Sequence, residues 1–223
     1  MGQDVTLTSS DGFKLGAYRA DPKGTPKGAI VVIQEIFGVN HHIRAVTDRL
    51  ADEGYVAIAP AVFDRVEKNF QTDYSPEDIA KGREMAGKVD QKAMLRDTQA
   101  AIDAVKGSGK VGITGFCMGG TVTFNAAAEL SGLSAAVAYY GGQIAKNVDK
   151  KLKVPTMMHF GEKDAGIPMP DVDLIKSKHA DSEIFVYENA QHGFHCDERA
   201  SYDKKSADVA WKRTMDFFGK HLK

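Results

Sequence analysis

The stretch Val111-Gly-Ile-Thr-Gly-Phe-Cys-Met-Gly-Gly-Thr-Val122 decides both the fold and the chemistry of this chain. A run rich in β-branched residues ends at Gly115-Phe-Cys117-Met-Gly119, and a segment compatible with a helix follows. This is the glycine-x-nucleophile-x-glycine pattern of a sharp strand-to-helix turn, with cysteine in the position of the nucleophile. The glycines let strand and helix approach closely at such a strained turn. The pattern therefore predicts that Cys117 is a nucleophile at a helix N-terminus, where the helix dipole favours a thiolate.

The composition of the 223 residues favours a single α/β domain, 1–223, because 43% hydrophobic side chains suffice for a sizeable core. The formal net charge is -1, which leaves no basic surface for nucleic acid or for an anionic membrane. No window holds the roughly 20 apolar residues of a membrane span, and no secretory leader is visible. Two cysteines do not make a disulfide scaffold. We therefore expect a cytoplasmic monomer that acts on a small molecule, without nucleic-acid or membrane partners.

Hydrophobic patterning predicts the order of the secondary-structure elements. Alternating residues on both sides of Ser10-Asp-Gly12 predict an N-terminal antiparallel hairpin. From Ala29 onward, continuous apolar runs alternate with segments of helical period, which predicts a mainly parallel sheet with helices on both faces. The predicted buried strands are 29–33, 55–59, 110–114, 134–140, 154–160 and 183–187. In such sheets, ligands bind beyond the carboxyl ends of the strands.

Two further side chains follow predicted strands in the order nucleophile, acid, histidine that is typical of enzymes with this turn. Asp164 ends the loop Gly161-Glu-Lys-Asp164, which comes directly after a predicted strand. His192 lies in Gln191-His-Gly-Phe194, shortly after the last predicted strand. A cysteine nucleophile needs a base, and the base needs a group that orients it. We therefore predict that His192 is the general base for Cys117 and that Asp164 holds the His192 tautomer.

These motifs resemble the dienelactone hydrolase (carboxymethylenebutenolidase) family, which has the α/β-hydrolase fold. The matching pieces are Gln34-Glu-Ile-Phe-Gly-Val-Asn40, Gly115-Phe-Cys-Met-Gly-Gly120, Gly161-Glu-Lys-Asp164 and Gln191-His-Gly-Phe194. The order of elements agrees over nearly the whole chain. The resemblance implies a Cys-His-Asp carboxylic ester hydrolase of aromatic catabolism, without a cofactor. Such an enzyme opens dienelactones or cleaves related small lactones and esters through a thioester intermediate.

The resemblance also implies roles for three residues near the thiol. The backbone N–H groups of Ile36 and Met118 would form the oxyanion hole, in agreement with the rule that the residue after the nucleophile supplies one donor. The glutamate that matches Glu35 pairs with the resting thiol in the family and swings away when substrate binds. A carboxylate beside a thiol disfavours the thiolate, so this contact would keep Cys117 protonated until a substrate carboxylate displaces Glu35.

Substrate binding is where the chain departs from the family pattern. The family places an arginine four residues after the histidine, and here that position is Cys196. Arg199, slightly further along the chain, and Arg83 are the candidates to bind a substrate carboxylate. A guanidinium is suited to this task because it bonds a carboxylate through two parallel hydrogen bonds. Arg83 lies in the polar segment 64–90, which is either a lid or a solvated connection.

Two further histidines and the second cysteine are expected to have no catalytic role. His195 and Cys196 are expected to line the pocket and not to bind a metal, since no partner cluster accompanies them in the sequence. His159 lies inside an apolar strand and is expected to be a satisfied core residue. Metal ligands are therefore not predicted.

Two alternatives to a dienelactone hydrolase remain open. A thiolate is also a good leaving group, which favours activated esters or lactones as substrates, but cysteine enzymes cleave other acyl compounds too. The first alternative is a broad-specificity esterase or thioesterase of unknown substrate. The second is a non-hydrolytic redox sensor that uses Cys117 on the same fold.

Overall fold

The computed structural model describes residues 2–223, and the strands of this range form one eight-stranded sheet. The strands are β1 (Gln3–Thr8), β2 (Lys14–Ala20), β3 (Ala29–Ile33), β4 (Val56–Pro60), β5 (Val111–Phe116), β6 (Leu133–Tyr139), β7 (Thr156–Gly161) and β8 (Glu183–Tyr187). Their order across the sheet is β1-β2-β4-β3-β5-β6-β7-β8. β1 and β2 form the predicted hairpin, and β2 also pairs antiparallel with β4. The other pairings are parallel, so the predicted sheet is confirmed.

Helices connect most of the parallel strands, and side-chain caps fix where four of them begin. The helices are α1 (His41–Asp52), α2 (Pro76–Lys88), α3 (Gln91–Val105), α4 (Met118–Glu129), α5 (Met169–Lys178) and α6 (Lys204–His221). The Asn40 side chain accepts from the N–H of Ile43 at 3.3 Å, and Ser75 forms a reciprocal capping box with Asp78. Within residues 2–223, none of the helices combines the length and the apolar composition that crossing a membrane requires.

The core lies on both faces of the sheet because successive residues of a strand point to opposite sides. In β3, Ile30 and Val32 belong to a cluster with α1 and α6, whereas Val31 and Ile33 belong to a cluster with α3. Every residue of β3 and β5 is buried, as continuous apolar runs predict for strands covered on both sides. Helices therefore cover both faces, in agreement with the sequence pattern.

The centre of the sheet positions the chemistry. β5 lies between β3 and β6, and β7 and β8 follow on the same side. Since these strands are parallel, the loops that follow β3, β5, β7 and β8 leave the sheet at one edge. These four loops carry Glu35, Cys117, Asp164 and His192, in that order. Side chains that are distant in the sequence therefore meet at one end of the sheet.

Candidate active site

Cys117 lies on a strained turn between β5 and α4. Its backbone angles are φ 56° and ψ -117°, a conformation that residues with a Cβ adopt only at a cost. A Cβ on Gly115 would lie 2.3 Å from the carbonyl oxygen of Gly119, and a Cβ on Gly119 would lie 2.3 Å from that of Ile33. Glycine at both positions therefore lets the N-terminus of α4 lie directly against β3 and β5. The turn holds the half-buried thiol at the edge of the sheet.

His192 and Asp164 form a hydrogen-bonded pair beside the thiol. Nδ1 of His192 donates to Oδ2 of the buried Asp164 at 2.7 Å. The other carboxylate oxygen accepts from the N–H of Gly166 at 2.8 Å, which fixes the carboxylate. The Asp164 bond sets the tautomer of the ring and leaves Nε2 available. His192 and Cys117 line the same cavities, so this nitrogen is available to the thiol.

The charges around His192 favour its protonated form. Burial alone would lower the pKa of His192, but a thiolate at Cys117 and the carboxylate of Asp164 together raise it to about 10. The site is therefore able to hold an imidazolium next to a thiolate. A thiolate is a stronger nucleophile than a neutral thiol.

Two backbone N–H groups near the thiol are free of protein acceptors in the part of the chain that the structure describes. Met118 is the first residue of α4, so its N–H has no partner inside the helix. The N–H of Ile36 donates to no backbone acceptor within residues 2–223. A Cβ on Gly119 would lie 2.5 Å from the carbonyl oxygen of Gln34, so the segment before Ile36 and the start of α4 are in close contact. Ile36 and Met118 are therefore available to stabilise a negative oxygen.

Glu35 pairs with Arg199 and not with the thiol. The Glu35 residue is 1% exposed, and its Oε1 accepts from Nη1 of Arg199 at 3.2 Å. No hydrogen bond joins Glu35 to Cys117 among the described residues, contrary to the expectation from the family resemblance. The physical reason is that a buried carboxylate needs an opposite charge, which a guanidinium supplies and a neutral thiol does not. Glycine at 193 leaves room for this arginine, because a Cβ there would lie 2.4 Å from Nη1 of Arg199.

The thiol and the imidazole lie where two adjoining cavities meet. The cavities measure about 450 and 500 Å³, and both are lined by Cys117 and His192. Arg83 and Arg199, the two predicted carboxylate-binding residues, line the larger cavity from α2 and from the loop after β8. Lys163 lines it as well. Lys163 was not predicted from the sequence, although its place beside Asp164 on a strand-end loop was a signal for it.

The polar segment 64–90 forms a wall of the site through α2. A Cβ on Gly82 would lie 2.6 Å from the carbonyl oxygen of Ile36, so the helix packs directly against the loop after β3. Ile79 and Arg83 of this helix line the larger cavity, and Ala86 lines the smaller one. The segment is therefore not a solvated connection.

His195 and Cys196 face the core and do not line the cavities that hold the thiol. His195 is 5% exposed and lies between the rings of Phe116 and Trp211, at centroid distances of 5.2 and 5.8 Å. Burial lowers the pKa of His195 well below its usual value. Burial and the nearby Glu35 raise the pKa of the Cys196 thiol to about 12. The expected pocket-lining role is therefore wrong, because the chain turns inward after His192.

One buried group of possible metal ligands lies behind the site. Ligand atoms of Glu35, His42 and Cys196 lie within 4.8 Å of one another. Oε2 of Glu35 and Nε2 of His42 have no hydrogen-bond partner within residues 2–223. However, Arg199 already supplies a positive charge to Glu35, and Cys196 is held as a neutral thiol. Both features oppose the binding of a further cation, because a metal requires deprotonated ligands.

Comparison with known proteins gives the family. The sequence profile described as the dienelactone hydrolase family matches residues 15–222. The chain belongs to the dienelactone hydrolase family. It is 33% identical to the carboxymethylenebutenolidase of Pseudomonas putida, over 96% of this chain and 95% of that protein. It is 35% identical to a Synechocystis protein provisionally named carboxymethylenebutenolidase, over 98% of this chain and 96% of that protein.

Solved structures share the architecture of this family member. A protein from Klebsiella pneumoniae subsp. pneumoniae, provisionally named dienelactone hydrolase, superimposes with a TM-score of 0.85 at 34% identity and covers 99% of both chains. A dienelactone hydrolase-like promiscuous phosphotriesterase from metagenomic libraries gives a TM-score of 0.77 at 20% identity, a likeness of fold alone. The predicted α/β-hydrolase fold is confirmed. The protein is a hydrolase of ester or lactone bonds.

Proposed function

We propose that this hydrolase opens lactones or cleaves small esters through a thioester on Cys117. His192 is the general base, and Asp164 orients it. The observation that carries the proposal is the thiol at positive φ on a helix N-terminus, beside a His192–Asp164 pair with a 2.7 Å bond. A nucleophile, a base and an orienting acid are the three parts that nucleophilic acyl transfer requires. Membership of the dienelactone hydrolase family supports a lactone or ester as the substrate.

The first half of the reaction forms the thioester. Sγ of Cys117 attacks the carbonyl carbon, and the carbonyl oxygen becomes negative. The N–H groups of Ile36 and Met118 stabilise this oxygen, and the positive end of the α4 dipole adds to their effect. The bond between the carbonyl carbon and the leaving oxygen then breaks, while His192 gives its proton to that oxygen. In a lactone, the leaving oxygen stays in the same molecule.

The second half of the reaction releases the acid. His192, now neutral, takes a proton from water, and the resulting hydroxide attacks the thioester carbonyl carbon. The carbon–sulfur bond breaks, the carboxylic acid departs, and the Cys117 thiolate and the His192 imidazolium are restored. One water molecule is consumed for each bond cleaved. Asp164 accepts from Nδ1 of His192 throughout, so that Nε2 always faces the reacting atoms.

Arg199 and Arg83 are the proposed partners of a substrate carboxylate. Both line the cavity of about 500 Å³ that contains Cys117 and His192. Glu35 already bonds Arg199, so a substrate carboxylate would compete with Glu35 for this guanidinium. We therefore propose that Glu35 acts by competing with the substrate carboxylate for Arg199, and not by contacting the resting thiol. A substrate that carries a carboxylate would therefore rearrange the charges next to the nucleophile.

A broad esterase or thioesterase is the second candidate function. The cavity of about 450 Å³ on the other side of Cys117 favours it, because this volume lies in the range of ordinary ligand pockets. A side-by-side assay of a dienelactone and p-nitrophenyl acetate separates the two candidates. A much higher kcat/KM for the dienelactone supports the narrow function, and a similar value for both supports the broad one.

Three variants test the mechanism. Cys117→Ala and His192→Ala are each expected to lower kcat/KM by about a thousandfold or more, because the nucleophile and its base act as a unit. Cys196→Ala is the matched control, since it removes the other cysteine, which does not line the cavity. It is expected to keep activity within a few-fold. Full activity in Cys117→Ala would overturn the proposal. If the wild-type protein hydrolyses none of the substrates but peroxide rapidly modifies Cys117, a redox sensor is favoured.

A further inference from the structure

We infer that the preferred substrates are esters with an apolar acyl group and an anionic leaving group. The inference rests on the proposed function, since it adds a substrate class to the same Cys117 centre. It comes from a contrast between the two cavities that meet at Cys117 and His192. We name the cavity lined by Val89, Met94, Leu95, Met118 and Val122 the apolar arm. The cavity lined by Arg83, Lys163 and Arg199 is the cationic arm.

The apolar arm suits a hydrocarbon group. Among the described residues that line it, none is a lysine, an arginine or a carboxylate. Two of its polar side chains are already engaged, since Oδ1 of Asn125 accepts from Nζ of Lys150 at 2.8 Å and Oγ1 of Thr121 accepts from the N–H of Gln143 at 3.1 Å. The side-chain amides of Gln91 and Gln143 are the other neutral polar groups of this cavity. A ligand here gains mainly from the burial of apolar surface, and it meets no charged side chain among the described lining residues other than the titratable His192 and Cys117.

The cationic arm suits an anion. Its one carboxylate, Asp164, is bonded to His192, and the guanidinium of Arg199 is bonded to Glu35. The ion pairs on α2 use Lys81 and Lys88, so the exposed Arg83 is left for a ligand. Arg83 is therefore the residue of this arm whose charge is available without breaking an existing pair.

Helix α2 joins the two arms along one stripe. Ile79 and Arg83, one turn apart, line the cationic arm, and Ala86 and Gly87 continue the same face into the apolar arm. The charge on this stripe is confined to one end. A single helix therefore contacts both the polar end and the apolar end of a substrate that lies across the thiol.

The chemistry of the leaving group sets the orientation. The proton for the leaving oxygen comes from His192, which Asp164 holds in place. The loop that carries this acid, from Lys163 to Ile167, lines the cationic arm and not the apolar arm. The side chain next to the nucleophile, Met118, and Val122 one turn further along α4 line the apolar arm. We therefore assign the acyl group to the apolar arm and the leaving group to the cationic arm.

A matched set of esters tests this assignment on the wild-type enzyme. Acetyl, butyryl and hexanoyl esters are made of p-nitrophenol and of its ring-carboxylated analogue, together with the p-nitrophenyl half-ester of glutaric acid. kcat/KM is expected to rise about fourfold for each added methylene, the increment for burying one such group. A carboxylate on the leaving group is expected to raise kcat/KM about fivefold. The glutaryl half-ester, which places the carboxylate on the acyl side, is expected to react more slowly than the butyryl ester.

Variants on one helix separate the charge from the chain-length effect. Arg83→Gln is expected to remove the preference for the carboxylated leaving group while the gain per methylene persists. Lys88→Gln, on the same helix but outside both arms, is the control and is expected to keep both preferences. A flat chain-length series, or a glutaryl half-ester faster than the butyryl ester, overturns the inference while the hydrolase function stands. An enzyme that opens a dienelactone but turns over none of these esters also overturns the inference. If neither a dienelactone nor any of these esters is turned over, the proposed function itself fails, and the inference falls with it.

Discussion

Two sides of the site are built on different principles. The first, which we call the catalytic wall, consists of the proposed catalytic residues Cys117, Asp164 and His192, each of which lies on the loop that follows a strand. The second, which we call the cover, consists of α2, Glu35 and Arg199. The ion pair between Glu35 and Arg199 joins the loop after β3 to the loop after β8. Each residue of the wall therefore stands in a local sequence motif, whereas the ion pair of the cover depends on a contact between distant parts of the chain that no local motif shows.

The largest expected effect comes from replacing Gly119, which packs in the turn that holds Cys117 of the wall. Gly119→Ala would place a Cβ 2.3 Å from the carbonyl oxygen of Ile33, where backbone cannot move away cheaply. We expect a loss of about 3 kcal/mol or more in the free energy of unfolding, together with loss of activity. Gly219→Ala in α6 is the control, because a Cβ there meets nothing within 4 Å, and it is expected to gain about 0.5 kcal/mol. Urea denaturation measures both, and equal stabilities would contradict the packing argument.

The next variant changes the chemistry of the wall and is expected to leave the fold intact. Asp164→Asn removes the carboxylate that stabilises the imidazolium, so kcat/KM is expected to fall about a thousandfold. The pKa of His192, which a thiolate at Cys117 and the Asp164 carboxylate raise to about 10, is expected to fall. Asp171→Asn, at the start of α5, is the matched control and is expected to change neither quantity. Steady-state kinetics and an NMR titration of the imidazole check this, and an unchanged His192 titration would refute the assignment of Asp164.

The cover is tested by a double-mutant cycle on its ion pair. Arg199→Met leaves the Glu35 carboxylate buried without a counter-charge and is expected to cost about 3 kcal/mol of stability. The double variant Glu35→Gln, Arg199→Met is expected to regain most of this loss, because the unpaired charge is gone. Arg19→Met, which breaks the surface pair with Asp21, is expected to cost less than about 1 kcal/mol. Chemical denaturation measures the cycle, and strictly additive losses would show that the pair is not coupled.

The smallest expected effect concerns a buried histidine of the sheet that belongs to neither the wall nor the cover. His159 in β7 is buried, and burial lowers its pKa to about 3, so the unfolded chain binds its proton first as the pH falls below 6.5. Stability attributable to His159 is expected to fall by about 2 kcal/mol between pH 7 and pH 5. His192 has the opposite sign, because the stability from its raised pKa is present below pH 6.5 and is lost as the pH rises toward 10. Urea denaturation of His159→Gln at both pH values should show a smaller acid loss than the wild type, and an identical loss would contradict this account.

Much of the fold was predictable from the sequence because its determinants are local. Continuous apolar runs located the buried strands, because a strand that is covered on both faces is apolar at successive positions. The antiparallel pairing of β2 with β4, through pairs such as Arg19 with Ile58, was not predicted. The reason is that the partner of an edge hairpin depends on contacts between elements far apart in the chain.

The candidate site was likewise predictable only in part. The chain order of Cys117, Asp164 and His192 placed them at one sheet edge, because the strands before them are parallel. The bond from Glu35 to Arg199 was not predicted, since a sequence pattern does not show which charge a buried carboxylate meets after folding. The inward direction of Cys196 was missed for a related reason. It depends on the positive φ of Gly193, 78°, which turns the chain away from the cavity.

The most direct measurement for the central claim is rapid-quench mass spectrometry with p-nitrophenyl butyrate. The thioester mechanism predicts a butyryl group on the peptide that contains Cys117 during turnover, released by neutral hydroxylamine and absent from Cys117→Ala. If Asp164 orients the base as proposed, Asp164→Asn forms this adduct far more slowly. A wild-type enzyme that hydrolyses the ester without acylation of Cys117, or with acylation of Cys196 or a serine, would contradict the account.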